Sequence, residues 1–108
     1  MDVYRQHVNA PLIVSVIVDP NVKIRIDKTI RILNQNGRHT LLKVCGLIYF
    51  EDYHFVARII DADGNIWYND GKSNGRLLSN DGTLQSISNN NILQRGTQKL
   101  IATVYAQM

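Results

Sequence analysis

The sequence is poor in the features that would make it an oxidised, membrane-spanning or disordered chain. It has one cysteine, Cys45, so no internal disulfide can form. Its longest apolar stretch, Leu12–Val18, is interrupted by Ser15 and is far too short to span a bilayer as a helix. Met1–Ala10 is polar and lacks the apolar core of a signal peptide, and no Asn-x-Ser/Thr acceptor occurs anywhere. These absences lead to the expectation of a reducing, cytoplasmic location, with the nucleus as the alternative and no membrane association. Charged residues make up only 19% of the chain against 44% hydrophobic, the reverse of a disordered composition.

What remains is enough for one core. With 108 residues, the chain is expected to form a single domain over residues 1–108, without linker or repeat. The net charge is +3 and the pI about 9.2. The excess lies between Val22 and Lys43, where Lys23, Arg25, Lys28, Arg31, Arg38 and Lys43 face one acid, Asp27.

The pattern along the chain is that of strands. Pro11–Val18 is rich in Ile and Val and is followed by turn chemistry at Asp19-Pro20-Asn21. Val22–Ile32 alternates with period two, placing Val22, Ile24, Ile26, Ile30 and Ile32 on one face, with a bend at Asp27-Lys28. Asn34–Gly37 is a turn. Thr40–Phe50 reads as a long strand covered on both faces, with Leu42, Val44, Gly46, Ile48 and Phe50 opposed to Leu41, Cys45, Leu47 and Tyr49; Gly46 marks a bulge or a close backbone approach. His54–Asp61 and Ile66–Asn69 form a hairpin around Asp61–Asn65. Asp70–Gly82 reads as an exposed loop and Thr83–Leu93 as a weak helix, disfavoured by three consecutive asparagines. Lys99–Ala106 closes the chain with Leu100, Ala102, Val104 and Ala106 on one face. The expected fold class is mainly β, α+β at most: a single antiparallel sheet or partly closed barrel with one short helix.

Few residues carry recognisable chemistry. Asp61, Asp63 and Asn65 lack the further oxygen ligands and distal glutamate of a calcium loop, so they read as a turn. No cysteine pair, zinc-type histidine spacing or glycine-rich phosphate loop is present, and no cofactor is expected. Lys23, Arg25 and Arg31, with Lys43, could track phosphates, but cations on the solvent face of a strand are the commoner reading, and no set of aromatics accompanies them for base stacking. Lys72 and Arg76 add two cations from the glycine-rich loop, and Trp67 offers a ring to a carbohydrate, although a core role is preferred for it. Cys45, mid-strand in an apolar run, reads as a buried inert thiol. His54 opens one strand and Asn69-Asp70 closes its hairpin partner, an arrangement that can set a base beside its orienting acid.

At these residues the chain resembles the C-terminal β lobe of the ubiquitin-specific protease catalytic domain, a papain-like cysteine peptidase. The resemblance runs from Thr40–Phe50 through His54-Phe55-Val56-Ala57 and Asp63-Gly64-Asn65-Ile66-Trp67-Tyr68-Asn69-Asp70-Gly71 to Lys99–Tyr105, and covers roughly Thr40 to the end. Similar short stretches occur in proteins of mushroom-type fungi, which implies a fungal source. The resemblance implies that His54 matches the general base and Asp70 its orienting acid, with Asn69 the competing match. It also implies a missing half: the Asn-x-Gly-x-x-Cys segment that carries the nucleophile in that family does not occur. The expectation is therefore a non-catalytic protein-interaction module, possessing a protease-like β lobe without its nucleophile, that binds ubiquitin-like proteins or inhibits a peptidase. A sheet face left bare by the missing lobe must be covered, by residues 1–33, by a second copy in a homodimer or by a partner. The alternatives are a thiol hydrolase using Cys45, His54 and Asp70, a nucleic-acid binder using the basic residues, and a carbohydrate-binding domain.

Overall fold

The computed structural model describes residues 12–33, 35–70 and 78–107. The elements are β1 (Ile13–Ile17), β2 (Thr29–Leu33), β3 (His39–Glu51), β4 (His54–Ile60), β5 (Asn65–Asn69), β6 (Ser79–Thr83), α1 (Asn89–Leu93), β7 (Gln94–Arg95) and β8 (Gln98–Gln107). The described strands form one open antiparallel sheet in the order β1-β8-β3-β4-β5-β6. This is the mainly β class with one short helix that the sequence predicts.

The two long central strands organise the rest. One side of β3 pairs with β8; the other takes β2 along His39–Lys43 and then β4 along Gly46–Glu51. The free side of β8 takes β1 and the two-residue β7. The β3–β8 ladder is broken by two bulges on opposite strands. Cys45 is the extra residue between Val44↔Tyr105 and Gly46↔Val104, and Ile101 is the extra residue between Ile48↔Ala102 and Tyr49↔Leu100. An added residue exchanges the two faces beyond it. On β3 the buried set therefore passes from Leu42 and Val44 to Leu47 and Tyr49, and on β8 from Leu100 to Thr103 and Tyr105. The face groupings drawn from strict alternation, Leu42 with Gly46 and Phe50 and Leu100 with Val104, hold only up to the bulges.

The core lies on the concave side of the sheet. Leu42, Val44, Leu47, Tyr49, Val56, Ile60, Ile66, Tyr68, Leu100 and Tyr105 meet Val18, Ile26 and Ile92 from the segments that cross that side. Ile26 belongs to a connection, not to a strand: of Val22–Ile32, only the residues from Thr29 onward lie in β2, and Val22 and Ile24 are exposed. The side chain of Asn89 substitutes for a strand neighbour there, accepting from Ile26 N at 2.8 Å and donating to Ile24 O at 2.8 Å. The helix is shorter than Thr83–Leu93, because Ser88 caps it by accepting from Asn91 N and only Asn89–Leu93 is helical. Ser79–Thr83, expected as loop through Gly82 and as helix from Thr83, forms the edge strand β6. Its composition, Ser-Asn-Asp-Gly-Thr, carries no strand pattern, and pairing with β5 overrides its propensity.

Candidate functional site

The β4–β5 hairpin sets His54 beside Asp70. Both project to the concave side at one end of the sheet, with His54 Nε2 3.8 Å from Asp70 Oδ2. His54 Nδ1 is buried and has no hydrogen-bond partner among the described residues. Glu51, opposite His54 in the ladder, accepts from the Thr97 hydroxyl. Asn69 lies on the adjoining strand position, opposite Ala57, on the other face of the sheet. The juxtaposition of His54 and Asp70 is thus present, and Asn69 is turned away from it.

Cys45 is elsewhere. It lies at the bulge near Ile60, six residues along β4 from His54, a separation of roughly 20 Å at ~3.3 Å per residue. No proton can pass between thiol and imidazole over that distance. Burial pushes the thiol above its ordinary range, the opposite of what activates a nucleophile. Cys45 instead lines a cleft of about 450 Å³ together with Lys28, Lys43, Val44, Ile60 and Leu84.

The basic residues do not form the stripe that an unbroken Val22–Ile32 strand would have made. Lys23 and Arg25 sit on the connection that crosses the concave side, where they line two different clefts. Arg31 and Lys43 sit together on the convex face, opposite Leu41 and Thr29. Lys72 and Arg76 lie outside the described residues. Trp67 is not a core residue. It is half-buried on the convex face opposite Ile59, and its indole N–H donates to Asp61 Oδ2 at 2.9 Å. That bond, with those from the Asn65 and Asp63 backbone, holds the Asp61 carboxyl below its usual range. Asp61 is a turn anchor, and among the described residues no group of three or more His, Cys, Asp or Glu side chains is placed to hold a metal ion.

The convex face carries a feature that sequence reading passed over. Cross-strand neighbours Phe50 and Phe55 pack ring against ring, with centroids 5.0 Å apart at 49°. They are the two phenylalanines of the chain, and both are exposed, at 37% and 63%. Between them the hairpin turns on Asp52 and Tyr53, both with positive φ, 50° and 64°. Such a turn matches the sheet's twist and normally takes Asn-Gly. Here it carries a tyrosine that is 97% exposed. Behind this corner, Ile48, Ile59 and Trp67 continue an apolar strip across β3, β4 and β5. The signal was available: Phe-Glu-Asp-Tyr-His-Phe has an aromatic on each side of a two-residue turn, and an alternation that places both phenylalanines on one face.

Comparison of the chain with protein-family models, with curated proteins and with solved structures finds no match. Among the described residues, no helix is long and apolar enough to cross a membrane.

Proposed function

We propose that this chain is a non-catalytic protein-binding module, and that its partner docks on the aromatic corner formed by Phe50, Tyr53 and Phe55 and on the strip behind it. The observation that carries this reading is Tyr53: a bulky side chain held in left-handed backbone, where glycine is preferred, and almost wholly in solvent. Strained backbone persists where function selects it. Exposed tyrosine and phenylalanine on a rigid hairpin offer large contact area at little entropic loss, the composition of binding hot spots. The resemblance to a ubiquitin-protease β lobe suggests the partner class to try first, a ubiquitin-like protein. The His54–Asp70 pair stands in this reading as a remnant of chemistry whose nucleophile the chain does not set beside it.

The test joins binding to turnover. Wild type and a Tyr53→Ser/Phe55→Glu variant are titrated with ubiquitin and used to retain partners from a cell lysate, while wild type and Cys45→Ala are assayed on a fluorogenic ubiquitin amide. The reading expects a partner held by wild type and lost by the variant, and no turnover by either enzyme-assay protein. Equal retention by both forms would remove the aromatic corner as the docking surface. Turnover abolished by Cys45→Ala would put a thiol hydrolase in its place.

A further inference from the structure

The edge of the sheet supports an inference separate from the docking corner. β1 is the terminal strand of the described sheet, paired on one side only, with β8. Its five residues, Ile-Val-Ser-Val-Ile, contain no charge, proline or bulge, the devices by which edge strands ordinarily avoid further pairing. Ile13 and Ile17 are 65% and 82% exposed, and Val16 is 42% exposed.

The backbone of β1 is in phase with its sequence symmetry. Gln107 N donates to Leu12 O at 3.0 Å, and Val18 N donates to Ile101 O at 2.9 Å. In an antiparallel ladder, hydrogen-bonded positions alternate. The register Val14↔Tyr105 and Val16↔Thr103 therefore places the even-numbered peptide groups toward β8. The N–H and C=O groups of Ile13, Ser15 and Ile17 point away from β8, to the edge of the described sheet. These outward residues are centred on Ser15, and so is the palindrome Ile-Val-Ser-Val-Ile.

We propose that β1 pairs with β1 of a second copy, antiparallel, about a two-fold axis at Ser15 that runs perpendicular to the sheet. Ser15 meets Ser15 of the second copy as a hydrogen-bonded pair, and Ile13 meets Ile17 of the second copy in the two flanking ones. All three outward residues of each chain then exchange both backbone bonds. Val14 and Val16 meet on the concave side, and the exposed Ile13 and Ile17 meet on the convex side. A two-fold interface requires a self-complementary surface, and here it is satisfied residue by residue. An unrelated strand could supply backbone groups, but only a second copy supplies the like-with-like side chains in the one register that engages every outward group.

The test is the mass of the full chain in solution, by light scattering and sedimentation equilibrium over the micromolar to millimolar range. The expected result is a dimer of twice the 12.3 kDa chain mass. Ser15→Pro removes an N–H that faces away from β8 and is unused among the described residues, and Ile17→Lys places a charge on the mating face. Each is expected to weaken the dimer by at least about 100-fold with an unchanged circular-dichroism spectrum. Leu33→Lys, an equivalent change on exposed β2, leaves the dimer intact. If Ser15→Pro unfolds, Ile17→Lys alone decides. A wild-type chain that stays monomeric throughout the range, or a dimer that persists undiminished in Ile17→Lys, overturns the proposal.

Discussion

Arg58 donates through Nε to Asp81 Oδ2 at 2.6 Å, with the arginine side chain only 7% exposed and the aspartate 21%. Arg58 Nη1 also reaches Tyr49 OH at 2.9 Å and Asn91 O at 2.6 Å, and Tyr49 OH donates to Ile92 O at 2.6 Å. Arg95 binds the same carboxylate at 3.1 Å while its guanidinium lies 3.3 Å over the Tyr68 ring. One carboxylate thus ties β6 to β4 and β7, and Arg58 extends the tie to β3 and α1.

Removing the shared anion is therefore worse than removing one cation. Asp81→Ala leaves Arg58 buried and Arg95 beside it without a counter-charge, and breaking a buried pair in this way costs about 3 kcal/mol. Arg58→Met keeps the volume and leaves Asp81 to Arg95, so its loss is expected to be smaller, about 1–2 kcal/mol. Urea denaturation of the two variants checks the order. Equal losses would mean that the network is not coupled through Asp81.

Acid should loosen the same tie. Burial raises the Asp81 carboxyl, but hydrogen bonds from Arg95 and Arg58 and their charges outweigh it and hold the group below its ordinary value. A carboxylate depressed in the folded state adds stability above its unfolded pKa, about 3.9, and loses it as pH falls through the folded value. The melting temperature is expected to fall as pH drops below about 4, and Asp81→Asn to show a shallower fall over the same window. An identical acid limb in both proteins would assign the effect to other carboxylates, of which Asp61, held low chiefly by the Trp67 indole, is the first to test.

The strands that alternate or run apolar, β1, β3, β4, β5 and β8, were legible in the sequence, as were the turn at Asn36-Gly37 and the hairpin loop at Asp61–Asn65. Two kinds of information were not. A bulge is a ladder property, so Cys45 and Ile101 could not be recognised as extra residues from composition alone, and with them went the true core face of β3 and β8. Alternation in Val22–Ile32 was also not sufficient, because Asn89, more than sixty residues away, completes the hydrogen bonds of Ile24 and Ile26. β6 was invisible for the same reason, since its stability comes from β5 and from the Asp81 contacts. At the site, the hairpin spacing placed His54 with Asp70 correctly, because register follows loop length. The separation of Cys45 from them needed the ladder.

Gly46 is the place where the bulge brings β3 close to β8. A Cβ built there would lie 3.3 Å from Val104 Cβ, tighter than ordinary contact. Gly46→Ala is expected to destabilise by about 1 kcal/mol through this overpacking. Val104→Gly in the same chain removes the Cβ that the new methyl meets and should recover part of the loss, giving a double-mutant coupling of at least about 0.5 kcal/mol. Strict additivity of the two changes would show that the glycine is needed for another reason.

The turn at Asp52-Tyr53 sets stability against recognition. Both residues adopt positive φ, which Asn-Gly accommodates without a side-chain clash. Replacing the pair by Asn-Gly is expected to stabilise the chain by about 1 kcal/mol, measured as a rise in the denaturation midpoint with an unchanged slope. The same replacement removes the most exposed aromatic of the docking corner, so partner affinity should fall by about tenfold or more. Tyr53→Ala separates the two effects, because it removes the ring but keeps an L side chain at positive φ, whereas the Asn-Gly pair removes both ring and strain. If affinity survives while stability rises, the strain has no part in binding, and Phe50 and Phe55 alone form the contact. If stability does not rise, the left-handed tyrosine is held by local contacts strong enough to offset its strain.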